Sequence, residues 1–375
     1  MHEERVYAAV DLSNIRHNIA EIYRHINGQS KIMAVIKADG YGHGAIRIAE
    51  ALLSAEEVFG FAVATIDEAL ELCAMPVKKP VLILGYCFPS GYREAVENDI
   101  RLTIFDRKSA EQLNAAAAGL DKKAKIHIKL DTGMGRIGIK PDDEGRELVR
   151  DIAGFENIEI EGIFTHFARA DEADKSHAKK QLQIFKDFVE SLKDFGVDIP
   201  YPHCANSAAI MEMQDSWFKL VRSGIITYGL LPSDEVEKGD LDLKPAMEIR
   251  SSVIFVKDVP AGTPISYGGT FVTPIPSRIA TVSVGYADGY PRSLSSKGEV
   301  LIRGHRYRIA GRVCMDQMMV DITGNTDIEA GDPVTIVGRD GDDEISMEEF
   351  AEMSGRINYE AVCDIGKRVP RVYLS

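Results

Sequence analysis

The stretch AVIKADGYGHG, residues 34–44, joins an apolar run to a loop in which three of the last five residues are glycine. The run that leads into it, KIMAVIK at residues 31–37, is short and apolar, which predicts a buried strand. A single lysine, Lys37, ends that strand. A lysine at a strand end is commonly solvated, whereas a desolvated lysine has a lowered pKa and serves as an imine-forming nucleophile or a base. Whether Lys37 is a solvated or a reactive lysine depends on the residues that surround it in the fold.

Seven further apolar runs follow before residue 230, and helical patterns separate them. The runs cover residues 59–65, 80–84, 101–105, 125–130, 158–166, 201–205 and 221–228. One intervening helix places Leu182, Phe185, Phe188 and Leu192 on a single face. Eight strands that alternate with helices are typical of an α/β fold, and they favour a closed (β/α)8 barrel of the TIM type over an open doubly wound sheet. We expect this barrel to occupy residues 1–240.

The pattern changes after about residue 240. Runs of β-branched residues, such as IRSSVIFVKDV and RIATVSVGYA, are separated there by glycine, proline and aspartate turns. This predicts a second, mainly β domain over residues 241–375. Within it only residues 346–355 have a helical pattern, with Ser346 as the N-cap and Glu349 completing a capping box.

Composition and charge exclude several classes of protein. The chain has 375 residues and a net charge of −14, and no basic run follows the pattern of a nucleic-acid-binding surface. No apolar stretch reaches the roughly 20 residues that span a bilayer. The N-terminal sequence lacks a signal-peptide pattern, so we expect a cytoplasmic protein. The five cysteines are scattered without a CxxC pair, which predicts reduced thiols and no metal site.

Polar residues recur at the ends of the predicted strands, the edge at which barrel active sites lie. Arg136 follows the fifth strand in a glycine-containing loop and His166 ends the sixth. Asn206 or Ser207 can cap a helix after the seventh, and Gly224 follows the eighth. Each has an ordinary explanation as a turn, cap or hydrogen-bonded residue. Together with Lys37 they predict a shared site.

Six segments taken together are more specific than any one of them. AVIKADGYGHG, IKLDTGMGRIG, HCANSA, VRSGIITYG, ISYGGTF and GRVCMDQ, in this order, closely resemble the alanine racemase family. The resemblance covers residues 5–370. It implies a barrel and a C-terminal β domain in a head-to-tail homodimer with shared active sites, and pyridoxal 5'-phosphate as the cofactor. It also implies interconversion of L- and D-alanine, which supplies D-alanine for bacterial peptidoglycan.

The resemblance assigns the reacting groups. Lys37 would hold the cofactor as an internal aldimine, and the partner subunit's Tyr267 would face it across the ring. Racemisation needs proton transfer on both faces of one carbon, so two opposed acid/base groups are the simplest solution. The tyrosine would contact His166, which would contact Arg222. Arg222 would face the pyridine nitrogen, and an arginine does not readily protonate that atom.

The resemblance also assigns the binding residues. At the phosphate and ring it implies Tyr41, Tyr359, Ser207, Gly224, Ile225, His203 and Asn206. Arg136 would meet the phenolic oxygen of the cofactor and the substrate carboxylate, which the backbone N–H of the partner subunit's Met315 would also bind. Lys129 matches a position that is often carbamylated in the family. The alternative for Lys129 is an ion pair with Asp131 or another acid.

Two departures from the family pattern are small. Asp39 and Gly40 replace the usual Asn-Ala or Asp-Ala pair, which we expect to loosen the loop, and Gly269 lies at a variable position. Neither removes a reacting group.

Three other functions are alternatives for this sequence. These are a racemase for serine or for several amino acids, a pyridoxal-phosphate amino-acid decarboxylase of the same architecture, and a non-catalytic pyridoxal-phosphate-binding barrel. A barrel hydrolase with paired carboxylates or a pure scaffold would leave the lysine, glycine and tyrosine positions unexplained.

Overall fold

A computed structural model describes residues 5–76 and 79–375. The chain forms two compact units. One contains residues 14–40 and 44–244, and the other contains residues 5–13, 41–43 and 245–375. The N-terminal strand and the segment 41–43 are thus part of the same unit as the C-terminal third of the chain.

The first elements lead into the barrel. Strand β1 covers Val6–Asp11 and helix α1 covers Leu12–His25. Eight parallel strands follow in residues 14–244. They are β2 (Lys31–Val35), β3 (Val58–Val63), β4 (Val81–Ile83), β5 (Arg101–Ile104), β6 (Ala124–Lys129), β7 (Ile158–Phe164), β8 (Tyr201–His203) and β9 (Leu220–Ser223). Each falls in or overlaps one of the eight predicted runs, which confirms the predicted strands.

The eight strands pair in the order β9-β2-β3-β4-β5-β6-β7-β8. The two ends of this series meet just beyond β8, where the backbone N–H of Arg222 donates to the backbone carbonyl of Ala205 at 3.0 Å. The sheet is therefore barrel-like, and the carboxyl ends of all its strands face one edge. This confirms the predicted (β/α)8 fold class.

Helices alternate with these strands. They are α2 (Lys37–Tyr41), a short turn whose residues 38–40 have left-handed φ, and the helices α3 (Ala45–Leu52), α4 (Ile66–Cys73), α5 (Tyr92–Glu97), α6 (Arg107–Ala118), α7 (Asp143–Ala153), α8 (Ser176–Leu192) and α9 (Ser207–Glu212). The predicted apolar face of α8 is buried at Leu182, Phe185, Phe188 and Leu192. No helix within residues 5–76 and 79–375 is long and apolar enough to cross a bilayer.

The second unit is built around one long strand, β10 (Met247–Val259), which pairs with β1, β13 and β17. The other strands are β11 (Pro264–Ile265), β12 (Phe271–Val272), β13 (Ser277–Val282), β14 (Glu299–Ile302), β15 (His305–Arg308), β16 (Met318–Asp321), β17 (Pro333–Asp340), β18 (Asp343–Ile345) and β19 (Arg371–Leu374). Strand β1 lies between β10, to which it is antiparallel, and β19, to which it is parallel. The unit is mainly β, as the sequence predicts.

Two helices lie in the second unit, where the sequence predicts one. The predicted helix is α10 (Met347–Ser354), capped by the Ser346 hydroxyl, which accepts the Glu349 N–H at 3.0 Å. The Glu349 carboxylate accepts hydrogen bonds from the Arg306 guanidinium. The unpredicted helix, α11 (Asn358–Cys363), is six residues long. It is too short to show a clear helical period, and it carries Tyr359.

Candidate active site

Lys37 follows β2, and its side chain is half-buried. The next three residues, Ala38, Asp39 and Gly40, all have left-handed φ angles of 52°, 52° and 62°. Such a conformation is costly for residues other than glycine. It is held in place because the Asp39 carboxylate accepts the Ala45 N–H at 2.9 Å and the Asp39 carbonyl accepts the Gly44 N–H at 2.8 Å. Asp39 therefore closes the turn with two hydrogen bonds, and the expectation that the Asp39-Gly40 pair loosens the loop stays a prediction.

Arg222 on β9 is a buried cation whose hydrogen-bond acceptors are all neutral. It donates to the His203 Nδ1 at 2.9 Å and to the His203 carbonyl at 3.1 Å. It also donates to the Thr165 and Cys204 carbonyls at 2.8 and 3.0 Å, and its NH2 lies 3.4 Å from the His166 Nδ1. Burial lowers the pKa of Arg222 to about 10, so it keeps its charge at neutral pH. A desolvated guanidinium with neutral acceptors suits an electron-rich ligand atom.

A row of buried side chains continues from Arg222 across the barrel. The His203 Nε2 lies 2.8 Å from the His127 Nδ1, and the His127 Nε2 lies 3.1 Å from the Glu161 carboxylate. Arg101 binds that carboxylate in turn at 3.0 Å. Since an arginine only donates, the His203 Nδ1 must accept, its Nε2 must donate to His127, and the His127 Nε2 must donate to Glu161. The three links therefore assign a neutral Nε2–H tautomer to both histidines.

Sequence reasoning missed three members of this row, Arg101, His127 and Glu161. One signal was present. Residues two apart on a strand face the same side. His127 and Lys129 therefore lie on the same face of β6, and both are polar and buried.

Lys129 lies at the end of β6 and is 2% exposed. Its Nζ donates to the Leu130 carbonyl at 2.7 Å. Burial, with added repulsion from Arg222 and Arg136, lowers the pKa of Lys129 to about 8. The carboxylate of Asp131, the expected ion-pair partner, accepts the backbone N–H groups of Gly133, Met134 and Gly135 at 2.9 to 3.1 Å.

His166 is neutral in this setting. Burial first, and then the positive charges of Arg222 and Arg136, hold the pKa of His166 well below its ordinary value. Because its Nδ1 faces the donating NH2 of Arg222, the hydrogen is on its Nε2. His166 thus offers an N–H donor on the side away from Arg222.

The segments after β8 and β9 are joined by a hydrogen bond. The Asn206 side chain caps α9 by accepting the Ala209 N–H at 3.1 Å. Ser207 is the first residue of that helix, and its hydroxyl accepts the Gly224 N–H at 3.0 Å. Gly224 precedes a short helical turn, Ile225–Tyr228. Two helical turns therefore begin side by side at the strand ends, where their first N–H groups can face an anion.

The second unit contains the other four predicted site residues, Tyr41, Tyr267, Met315 and Tyr359. The rings of Tyr41 and Tyr359 are 6.1 Å apart between centroids. Burial raises the pKa of Tyr41, so its phenol stays protonated. The segment after Tyr41 is tightly packed, because a Cβ on Gly42 would lie 2.3 Å from the Val362 carbonyl oxygen.

Tyr267 and Met315 line one cavity of about 670 Å³, formed by residues 266–268 and 314–317. Both side chains are largely solvent-accessible in the isolated chain, at 69% for Tyr267 and 51% for Met315. Large apolar side chains that are exposed together are typical of a surface that binds a partner or ligand.

Both parts of the chain are similar to alanine racemases. Residues 10–232 match the alanine racemase N-terminal domain, and residues 246–373 match the alanine racemase C-terminal domain. Alanine racemases of Desulforamulus reducens and Methanococcus maripaludis are each 46% identical to the chain, the first over the whole of both chains and the second over 98% of each.

Solved structures agree. The alanine racemase of Clostridium difficile superposes with a TM-score of 0.95 at 40% identity, covering 100% of this chain and 97% of that one. The Bacillus anthracis alanine racemase with bound L-Ala-P gives 0.93 at 39%, covering 100% and 96%. The chain therefore belongs to the alanine racemase family of pyridoxal-phosphate-dependent isomerases.

Proposed function

We propose that this chain interconverts L- and D-alanine with pyridoxal 5'-phosphate held at the strand ends of the barrel. The observation that carries the assignment is the buried Arg222, whose acceptors are all neutral. Such a cation would face the lone pair of a pyridine nitrogen without protonating it. The bound cofactor would supply an electron-withdrawing ring that acidifies the Cα–H of the attached amino acid.

Further residues of this chain would hold the cofactor and the substrate. Lys37 Nζ would form the covalent link to the cofactor. The phosphate would be held by Ser207, Gly224 and Ile225, whose turns begin side by side, and by the phenols of Tyr41 and Tyr359. Asn206 would hold the start of α9 in place as its cap, and His203 would hold Arg222 in place by accepting its hydrogen bonds. Arg136, on an exposed loop, would meet the phenolic oxygen and the substrate carboxylate.

Proton transfer would use two groups on opposite faces of the substrate carbon. Lys37 Nζ would take or return the proton on one face, and the phenol of the partner subunit's Tyr267 would do so on the other. The neutral His166 supports this arrangement, because its Nε2–H would be available to stabilise a tyrosinate. The exposure of Tyr267 and Met315 supports a head-to-tail homodimer in which these residues complete the partner's site.

We propose that Lys129 carries a carbamate. A pKa of about 8 leaves a substantial fraction of the buried amine neutral. The neutral amine would attack carbon dioxide, forming an N–C bond and releasing a proton, and the resulting anion would stand near the cations Arg222 and Arg136. A carbonyl carbon signal after growth with ¹³C-bicarbonate, absent in Lys129→Arg, would support the modification. Equal signals in the two proteins would contradict it.

The product, D-alanine, would serve peptidoglycan synthesis. The described cysteines are free, which fits a reducing compartment such as the cytoplasm. A serine or broad-specificity racemase and a decarboxylase of the same architecture are the alternatives.

The deciding experiment follows the Cα proton in deuterium oxide. L-alanine, D-alanine and L-serine are incubated separately with the holoenzyme, and proton NMR and chiral chromatography are applied to each. We expect deuterium at Cα together with inversion for both alanines. Absence of both exchange and inversion would indicate a binding protein, and release of carbon dioxide would indicate a decarboxylase. Serine inverted as fast as alanine would indicate broad specificity.

A further inference from the structure

The segment Cys314–Asp316 turns its backbone carbonyls toward one side. The Tyr286 N–H donates to the Cys314 carbonyl and the Ala287 N–H donates to the Met315 carbonyl, each at 3.0 Å. Arg5 donates to the Asp316 carbonyl at 3.2 Å. Three successive carbonyls of the segment are therefore bound to the body of the second unit.

The corresponding N–H groups must point the other way. In a trans peptide the C=O and the N–H are antiparallel. Because the Cys314 carbonyl faces Tyr286, the Met315 N–H faces away from it. The Asp316 N–H likewise faces away from Ala287. Successive N–H groups that face one way form a concavity for an anion, and this segment lines the cavity that contains Tyr267.

The Asp288 carboxylate stabilises this arrangement from the carbonyl side of the segment. It is 2% exposed and accepts hydrogen bonds from Arg5, from the Arg368 Nε at 2.8 Å and from the Gly285 N–H at 2.9 Å. The same Arg368 also contacts the Met315 carbonyl at 3.4 Å and the Asp316 carboxylate at 2.7 Å. Both arginines thus connect Asp288 to the segment.

The fit between the two segments is close. A Cβ on Gly285 would lie 2.4 Å from the Cys314 oxygen and from the Met315 carbonyl carbon. Burial alone would raise the pKa of Asp288, but its hydrogen bonds from Arg5, Gly285 and Arg368 outweigh this and lower it. Asp288 is therefore ionised at neutral pH.

We propose that Asp288, acting through Arg368 and Arg5, is the positioning residue that aims the Met315 and Asp316 N–H groups at the substrate carboxylate. The Asp316 N–H becomes a second donor at that site. The proposal rests on the proposed function, because it takes Met315 to be part of the substrate site.

The test compares Asp288→Asn and Arg368→Met with the control Asp332→Asn. Asp332 is a suitable control because it lies in the same unit and also accepts an arginine, Arg303, at 2.9 Å and a backbone N–H, that of Glu329, at 2.9 Å. Steady-state KM and kcat are measured for both alanine enantiomers. The affinity for propionate, a carboxylate without an amino group, is measured from the change in cofactor absorbance on the holoenzyme.

We expect Asp288→Asn and Arg368→Met to weaken propionate binding and raise KM by about tenfold, the size of one charge-assisted hydrogen bond. The kcat should fall much less, and Arg368→Lys should recover part of the loss because it restores the charge beside Asp288. Asp332→Asn should leave propionate binding unchanged. If Asp288→Asn does not fold, the partly exposed Arg368 still supplies the test.

The proposal is overturned if propionate affinity and KM in Arg368→Met equal those of the control. It is also overturned if kcat alone falls. Failure of the proposed function is a separate result, since a wild-type protein that binds propionate and does not invert alanine would contradict that function whatever the variants do.

Discussion

His127 and His203 share a hydrogen bond of 2.8 Å between the Nδ1 of the first and the Nε2 of the second, and neither ring is exposed to solvent. Burial is the main cause that lowers the pKa of both histidines. A neutral imidazole has one donor nitrogen and one acceptor nitrogen, so the partner of one nitrogen fixes the role of the other. The Glu161 carboxylate thereby determines which nitrogen of His203 accepts from Arg222.

This relationship predicts the acid sensitivity of the fold. An unfolded histidine takes up a proton near pH 6.5, about its ordinary pKa, whereas His127, His166 and His203 resist protonation when folded. Below about pH 6.5 the unfolded state binds more protons, so the free energy of unfolding falls as the pH falls. Urea titrations at several pH values should show this fall, and His127→Gln should make it less steep, because His166 and His203 still contribute. The control His305→Gln, at an exposed position, should leave it unchanged. A flat wild-type profile from pH 7 to about 5 would contradict the burial argument.

A second prediction concerns Glu161, whose pKa is lowered to about 2. Burial opposes the shift, but the hydrogen bonds from His127 and Arg101 outweigh it. Glu161→Leu leaves the buried Arg101 without this carboxylate and should cost about 3 kcal/mol or more in unfolding free energy. Glu161→Gln keeps an acceptor for His127 and should cost clearly less. ¹⁵N NMR should still find the Nε2–H tautomer of both histidines in the Gln variant. Equal losses in the two variants would show that the acceptor for His127 is unimportant.

The turn after Lys37 supplies a third prediction. Asp39→Ala removes the side-chain oxygen that accepts the Ala45 N–H. It should destabilise the protein by about 1 kcal/mol, as loss of a cap does, and weaken binding of pyridoxal phosphate because Lys37 begins this turn. Asp39→Asn retains an acceptor and tolerates left-handed φ, so it is the matched control. Fluorescence titration of the apoenzyme with the cofactor measures the effect. If both variants bind the cofactor with the same affinity, the Asp39 side chain does not help to position Lys37.

Gly42 allows a fourth prediction in which sterics and backbone strain are separated. Its φ is +77°, and a Cβ there would lie 2.3 Å from the Val362 carbonyl oxygen. Gly324 has φ +91°, and a Cβ added there would have no neighbouring atom within 4 Å. Gly324→Ala should cost about 1 kcal/mol for the backbone alone, and Gly42→Ala about 1–3 kcal/mol more from overpacking. Thermal unfolding of both variants tests this. Similar melting temperatures would mean that the contact with Val362 relaxes freely.

The shared active site supplies a fifth prediction. Lys37→Ala should be colourless and inactive, and Tyr267→Phe should lose most activity, because each removes one base. A mixture of the two, unfolded and refolded together, should regain about a quarter of the wild-type activity. Half of the dimers are then mixed, and one of their two sites has both bases. No recovery, with mixed dimers demonstrated by mass spectrometry, would show that each site uses Lys37 and Tyr267 of the same subunit.

The sequence by itself determined the eight barrel strands and the mainly β character of the C-terminal region. These follow from hydrophobic period and turn residues, which are local properties. It also singled out Lys37, His166 and Arg222, because motifs keep their spacing along the chain. The short helix α11 was missed since six residues do not reveal a period.

Only the tertiary structure decided which residues act together. Arg101, His127 and Glu161 come from three different strands, and closing the barrel brings them into one buried row with Arg222. Asp288 is one acidic residue among 58 in the sequence. Its role is visible only where Arg5 and Arg368, from opposite ends of the chain, meet on its carboxylate. A buried polar group must find its partners wherever the fold places them, and that requirement leaves no periodic signal in the sequence.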